Sequence, residues 1–327
     1  MSVLSILKPF KAFRVTVRVW MFGDSQQRPP SARLLNVLCS CVIALWIGEA
    51  HHVEAAGDDR SWERLIPGIE VTLWNPVEAC REVPALLMLH IDPERFRFSI
   101  YQFRDEGLSA PLSIHEWQQR TGAYVLFNAG LFREDYSYLG LLLKEGRSLG
   151  GKKHHSWQGL FAAEPTDGAL RKARVLDLAF DRFAEEAPLY REAAQSLMLL
   201  DRTGKLRVRD SGKRAYQTIV AEDREGAILV IKTVESVSLH HLADCLHRQM
   251  PSIQQAMAMD GGSSSDVIAA PDLLHAAKET PRQAEWQTLL EGTRGMHIAL
   301  PAVIGISPRT GPRSLPPPAS VSASHGR

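Results

Sequence analysis

The chain has 327 residues, 45% hydrophobic and 23% charged, a globular composition long enough for one large domain or two ordinary ones. Its formal net charge is +1, and beyond a basic N-terminus no block of like charge stands out, which argues against a nucleic-acid partner.

In chain order, Lys8, Lys11, Arg14, Arg18, Arg28 and Arg33 precede the apolar segment LLNVLCSCVIALWIG, and HHVEAAG then offers small residues at Val53 and Ala55 for a signal peptidase. Residues 1–56 are expected to be a signal peptide or an N-terminal anchor with a basic leader. The remainder would then be exported, periplasmic or extracellular, with a membrane tether through the apolar segment if it stays uncleaved. The leader is long for a signal peptide, so translation from Met21 is the other way to read it, and LCSC also resembles a lipoprotein box ending at Cys41. Cleavage after Ala55 leaves Cys80 and Cys245, which either pair in an oxidising compartment or stay as buried thiols; neither has metal-site spacing.

From residue 61 short apolar runs alternate with turn signals. IEVTLW, ALLMLHID, FRFSIYQF, AYVLFNAG, LGLLLKEG, SLMLLDRTG, QTIVAEDREG and AILVIKTV predict strands, several joined by KEG, DRTG and DREG turns suited to hairpins. LSIHEWQQRTG and SLHHLADCLHRQM have helical spacing and start at the caps Ser113 and Ser238. The fold class is α+β: a mixed, largely antiparallel sheet with a few flanking helices over residues 61–309. Residues 310–327, rich in Pro, Ser and Arg, are expected to be a disordered tail. There is no internal repeat and no nucleotide-binding glycine fingerprint.

Several residues carry chemistry by type and place. Asn128 ends an apolar strand and is followed by Ala-Gly, so its amide either holds its own turn or faces a ligand. Gln195 and Ser196 stand just before an apolar strand, and Lys213 and Arg214 before the next; a guanidinium matches phosphate oxygens as a fork, although a surface arginine is the plainer reading. Glu235 lies between a strand and a helix cap, where a solvated loop carboxylate is the bland expectation. The sharpest motif is AMAMDGGSSSD: a buried strand delivers Asp260 into Gly261, Gly262, Ser263 and Ser264, a carboxylate beside flexible N–H groups and hydroxyls, or else a polar turn and no more. The pairs His154/His155 and His240/His241 are poor chelates alone because adjacent side chains point apart, and they read as exposed or packed residues. No Gly-x-Ser-x-Gly elbow supports a serine hydrolase.

Taken in order, FNAGLFREDYSYLGLLLKEGR, AAQSLMLLDRTGKLRVRDSGKRAYQTIVAED, ILVIKTVESVSLHHLADCLHR, AMAMDGGSSS and ALPAVIGISPR resemble the phosphodiester glycosidase family, the domain of the mannose 6-phosphate uncovering enzyme and of exported bacterial relatives. The likeness covers roughly residues 69–309 and implies hydrolysis of a sugar 1-phosphodiester to free sugar and a phosphate monoester. It puts Asn128 at the family's Asn-x-Gly turn, Gln195 and Ser196 at its Gln-Ser pair, and residues 260–264 on its signature loop. One departure stands out: where the family reads Arg-Thr-Ala-Ile-Gly this chain has YQTIV, so Tyr216 occupies the arginine position, and Arg214, two residues earlier on the same strand face, is the candidate substitute.

The reaction builds positive charge on the sugar ring and negative charge on the departing phosphate. Asp260 is therefore expected on the sugar side as base or nucleophile, and Arg214 with the Gly261 and Gly262 amides at the phosphate. Asn128, Gln195 and Ser264 would position sugar hydroxyls, and Glu235 is the weaker candidate for a second carboxylate. No cofactor is required, though a divalent ion at Asp260 would be compatible. The expected partner is a carbohydrate or sugar phosphate. The competing expectation is a non-catalytic exported glycan-binding or polysaccharide-assembly protein, which the Tyr216 departure favours.

Overall fold

Side chains along a strand point alternately to opposite faces, and here the two faces of single strands enter different cores. In Ile228–Thr233, Ile228 and Val230 join one hydrophobic cluster while Leu229 and Ile231 join another. The structure, a computed structural model, describes residues 60–309 apart from 77, 278–279, 281 and 293–296. The expected signal or anchor over 1–56 and the tail over 310–327 lie outside the described residues.

The elements are β1 (Glu63–Ile66), β2 (Ile69–Trp74), β3 (Leu86–Ile91), β4 (Phe96–Gln102), α1 (Ile114–Thr121), β5 (Val125–Asn128), β6 (Leu142–Lys144), β7 (Arg147–Ser148), β8 (Gly159–Pro165) and β9 (Ala173–Asp177). They continue with β10 (Tyr190–Leu200), β11 (Thr218–Asp223), β12 (Ile228–Thr233), α2 (Leu239–Gln249), β13 (Ile253–Ala258), β14 (Val267–Ala269), α3 (Pro271–Ala276), α4 (Gln283–Glu291) and β15 (Ala302–Pro308). An eleven-stranded sheet runs β1-β2-β3-β12-β11-β13-β10-β6-β7, with β8 beside β10 and β9 beside β8; a four-stranded sheet runs β14-β5-β15-β4. The pairings that build both sheets are antiparallel, from the hairpin of β11 with β12 to the long-range pair of β15 with β4. The α+β class holds.

The two sheets enclose the largest cluster between them, where Leu89, Val230 and Met257 of the large sheet meet Phe98, Phe127 and Ile304 of the small one. Beneath the large sheet, α2 and the segment before β3 bury Cys80, Leu242, Cys245 and Leu246 against Ile219 and Ile231. Over the small sheet, α1 buries Ile114 and Trp117 against Leu126 and Val303. Four layers result, helix over sheet over sheet over helix.

Local chemistry fixes the expected elements. Ser113 forms a capping box with Glu116 at the start of α1, and Ser238 accepts the His241 N–H at the start of α2. In the KEG turn Glu145 and Gly146 both have positive φ, 53° and 78°, the geometry that joins β6 to β7 with strand-matching twist. In the DREG turn Asp223 Oδ1 accepts the N–H groups of Glu225, Gly226 and Ala227.

Cys80 and Cys245 form a disulfide across 165 residues, tying the segment before β3 to the middle of α2. A cross-link spanning so long a loop restricts the unfolded chain strongly. Cys80→Ser is expected to lower stability by about 2–5 kcal/mol, read as an earlier midpoint in denaturant for the oxidised protein. An unshifted midpoint would show that the bridge contributes nothing.

Candidate active site

Apolar β13 is buried from Gln255 to Ala258, and the chain leaves it through Met259 into the loop that the sequence singled out. The Asp260 N–H donates to the Ala129 carbonyl at 3.1 Å, and the Asp260 carbonyl accepts from Asn128 Nδ2 at 2.8 Å. The ends of β5 and β13 are thereby stitched together.

Asn128 is the stitch. It is 1% exposed; both of its amide N–H groups go to main-chain carbonyls, those of Ala129 and Asp260, and its Oδ1 accepts the Asp266 N–H at 3.0 Å. Its donors are thus spent on Ala129 and Asp260 and its acceptor on Asp266, so that it holds both ends of the 260–266 loop, which corrects the expectation of a side chain that reaches out to sugar hydroxyls.

The loop turns tightly because glycine lets it. Gly262 has φ +69°, and a Cβ on Gly261 would lie 2.9 Å from Gln217 Oε1 and 3.0 Å from the Tyr216 carbonyl. The two amides expected at a phosphate are already committed: Gly261 N–H donates to Asp260 Oδ1 at 3.0 Å and Gly262 N–H to the Tyr216 carbonyl at 2.8 Å. The bend closes on itself and on the neighbouring strand, so these amides form no open anion cup.

Asp260 itself is half-buried. Burial pushes its carboxyl above the ordinary aspartate value, against the Ser264 hydroxyl and the Gly261 N–H, which donate to it and pull the other way. Tyr138 lies within its electrostatic reach. Burial raises the Tyr138 phenol far above an ordinary tyrosine, its bond with Gly130 opposes this, and the Asp260 charge adds to the rise.

Gln195 and Ser196, expected just ahead of a strand, sit inside β10. β10 pairs with β13 through Leu197↔Ala258; continuing that register two residues brings Gln195 level with Asp260. Gln195 is fully buried, and its amide is saturated: Oε1 accepts from Leu141 N at 3.0 Å and His154 N at 2.8 Å, while Nε2 donates to the carbonyls of His154 at 2.8 Å and Trp157 at 2.6 Å. Its own carbonyl accepts the Tyr138 hydroxyl, which in turn accepts the Gly130 N–H, both at 2.9 Å. Gln195 therefore anchors the 138–157 segment, in which the His154 and Trp157 rings stack 4.1 Å apart, and it has no donor left for a sugar. The Ser196 hydroxyl is buried without a partner.

Against the signature loop lies a cavity of about 710 Å³, lined by Gly262, Ser263, Ser265 and Asp266 together with Arg214, Tyr216, Lys232, Ser236 and His297, and not by Asp260, Asn128, Gln195 or Ser264. Lys232 Nζ is 3.1 Å from Asp266 Oδ1, and His297 Nδ1 contacts Asp266 Oδ2. Arg214 stands at the rim, where its Nη2 donates to the Ser236 carbonyl at 2.9 Å. The bridge between Ala215 and Val237 fixes that rim; Arg214, Ala215 and Tyr216 all line the cavity, and they lie ahead of β11 on a loop, not on one face of a strand as expected. The lining side chains carry two cations, Lys232 and Arg214, and one carboxylate, Asp266, which pairs with Lys232, so their formal charge is +1 with His297 counted as neutral and leans toward an anion.

Glu235 is exposed on the loop between β12 and α2 and is not among the lining residues, although Val234 and Ser236 on either side are. The carboxylate in the cavity is Asp266. Sequence reasoning passed over Asp266, Lys232 and His297. One signal was present for Lys232, a lone cation inside the apolar run ILVIKT; none marked His297.

A family model described as phosphodiester glycosidase matches residues 121–291, just over half of the chain. Among solved structures, a hypothetical protein from Synechocystis shares the fold with a TM-score of 0.52 at 12% identity, over 76% of this chain and 63% of that one. The zebrafish N-acetylglucosamine-1-phosphodiester alpha-N-acetylglucosaminidase catalytic domain, auto-inhibited by its pro-peptide, aligns with a TM-score of 0.48 at 13% identity, over 68% of this chain and 76% of that one. This chain thus spans less than two thirds of the Synechocystis protein's length. No curated protein matches the sequence.

Proposed function

Because the chain belongs to the phosphodiester glycosidase family, we propose that it is a hydrolase that cleaves the glycosidic bond of a sugar 1-phosphodiester in an envelope or extracellular glycan. The observation that carries this reading is the signature loop itself: Gly262, Ser263, Ser265 and Asp266 line a cavity that also holds Lys232 and Arg214, and the half-buried carboxylate of Asp260 stands two residues before Gly262, outside the lining. In this reading the bond between the anomeric carbon and the phosphate oxygen breaks. Water supplies a hydroxyl to the sugar and a proton to the medium, and a phosphate monoester leaves.

Asp260 acts beside the sugar as base or nucleophile, and Ser264 holds its carboxylate in place. Lys232, Arg214 and the exposed Ser263 hydroxyl receive the phosphate. The departing phosphate monoester already stabilises its negative charge, so a strong general acid is less needed than for an ordinary glycoside. Asn128 and Gln195 fix the loops around Asp260 and do not touch substrate.

The disulfide supports export, since such bridges persist in oxidising compartments. We place the protein in the periplasm or outside the cell, with residues 61–309 as the catalytic domain. Among the described residues no helix is long and apolar enough to cross a membrane; a tether would have to use the N-terminal apolar segment.

The reading is tested with a sugar 1-(4-nitrophenyl phosphate) diester coupled to phosphatase. Reducing sugar and 4-nitrophenol, the latter freed by the phosphatase from the 4-nitrophenyl phosphate product, appearing in equal amounts, with colour only when phosphatase is present, support it. The second reading, a glycan-binding module, is favoured by Tyr216, which stands 46% exposed at the cavity where the family has arginine; binding of the diester without any product would establish it.

Arg214→Ala is expected to lower kcat/KM about tenfold or more, because a charge-assisted hydrogen bond contributes about 1.5–3 kcal/mol. Most of the change should fall on KM. An unaltered kcat/KM would remove Arg214 from the phosphate site.

A further inference from the structure

The fold supplies what the histidine pair His240/His241 lacks in sequence. They are the second and third residues of α2, after the cap Ser238, and their rings lie 5.8 Å apart at 71°. Asp210, thirty residues earlier in the chain, folds against them, so that one ligand atom from each of Asp210, His240 and His241 falls within 4.8 Å of the others. We propose that these three side chains bind a divalent first-row metal ion, zinc by the character of the ligand set, with Glu82 as the outer carboxylate that holds His241.

Two imidazoles and one carboxylate are the donor types of an open zinc site, which leaves a fourth position for water or an anion. A tetrahedral ion with bonds of about 2.0–2.1 Å needs ligand atoms about 3.3 Å apart. His241 Nε2 is 3.9 Å from Asp210 Oδ2, and Asp210 is exposed, so a small side-chain rotation closes the gap. The other nitrogen of His241, Nδ1, lies 2.8 Å from Glu82 Oε2, close in distance though out of line for a good hydrogen bond. His241 thus has a carboxylate near each ring nitrogen, one to share the ion and one that a small rotation would bring into line to accept the Nδ1 N–H, as the outer partners of metal-bound histidines do. His240 Nδ1 is buried with no partner, a polar atom that calls for an explanation.

The site is also tied together covalently. Glu82 sits two residues after Cys80, and His241 one turn before Cys245, so the disulfide fastens the segment that carries the outer carboxylate to the helix that carries the histidines. Arg214 Nη1 is 3.9 Å from Glu82 Oε2, which sets the metal site beside the cavity rim without making it part of the cavity. This inference is independent of the proposed hydrolysis.

The test uses the tag-free full chain, stripped with chelator and titrated with zinc by calorimetry, and with cobalt for its visible absorption. One equivalent of zinc should bind, and cobalt should give the spectrum of a four-coordinate nitrogen and oxygen site. Asp210→Asn, an exposed change that spares the fold, and His241→Ala should each weaken zinc about a hundredfold, and Glu82→Gln about tenfold, in line with the usual effect of an outer partner. The double variant His154→Ala/His155→Ala should bind as the parent does. Absence of stoichiometric zinc, or affinity untouched by both His241→Ala and Asp210→Asn, overturns the assignment, as does loss of the same binding in the His154/His155 variant.

Discussion

Asp260→Asn is expected to cut turnover of a sugar 1-phosphodiester by about a thousandfold or more while the protein melts no lower than the parent. The two halves of that expectation have one cause. Burial raises the Asp260 carboxyl, so its ionised form is disfavoured by the fold even though Ser264 and Gly261 donate to it. A carboxyl whose folded value lies above its unfolded one contributes stability that is full at low pH and is lost as pH rises through the folded value. At neutral pH the ionised side chain is therefore a net cost, and the amide removes it. The same shift moves the acidic limb of activity: as base or nucleophile Asp260 must be ionised, so the rate should fall with decreasing pH at a higher pH than an ordinary aspartate, near 4, would give. Melting temperature and kcat measured on one preparation decide the matter. Full activity in the variant removes Asp260 from the chemistry, and a melting point several degrees lower would assign the lost rate to the fold.

Gln195→Ala should destabilise the protein by about 3–5 kcal/mol. Four backbone groups depend on this one amide: the N–H groups of Leu141 and His154 and the carbonyls of His154 and Trp157. Each buried group left unpaired costs about 1–3 kcal/mol, less what water recovers where the loop relaxes. Gln195→Glu separates hydrogen bonding from packing, because it keeps the shape and the acceptor but turns the two donors toward carbonyls into an acceptor. It should be about as damaging as alanine in a denaturant titration. A glutamate variant as stable as the parent would mean the amide donors contribute little.

The sequence was readable where local pattern and tertiary need agree. β2, β3, β4, β11 and β12 are apolar runs bounded by turns, and α1 and α2 announce themselves by their caps. The opening half of β10, YREAAQ, was missed because Arg191, Glu192 and Gln195 interrupt the apolar run; Glu192 accepts from Ile100 of β4 and Gln195 from Leu141 and His154, partners that cannot be seen locally. α3 and α4 lack any side-chain cap bond, and α3 offered only Pro271 and Asp272 in its first turn as a start signal, too little to mark a six-residue helix. At the site, Asp260 was legible because Asp-Gly-Gly-Ser is a contiguous signal. Asp266, Lys232 and His297 meet only through folding, across 34 and 31 residues. The pairing of Cys80 with Cys245 was open for the same reason.

β15 follows every other described strand in the chain, yet it lies in the middle of its sheet, between β5 and β4. Its Val303 is the cross-strand neighbour of Asn128, whose amide holds the signature loop. The segment by which the family is identified, residues 121–291, includes β5 but neither of the strands that shelter it on that side. Cut to that window, the polypeptide would present β5 with a bare margin, and the residue that stitches the loop would lose its backing. What identifies this protein is therefore shorter than what keeps it upright, and its working part cannot be excised as a portable cassette.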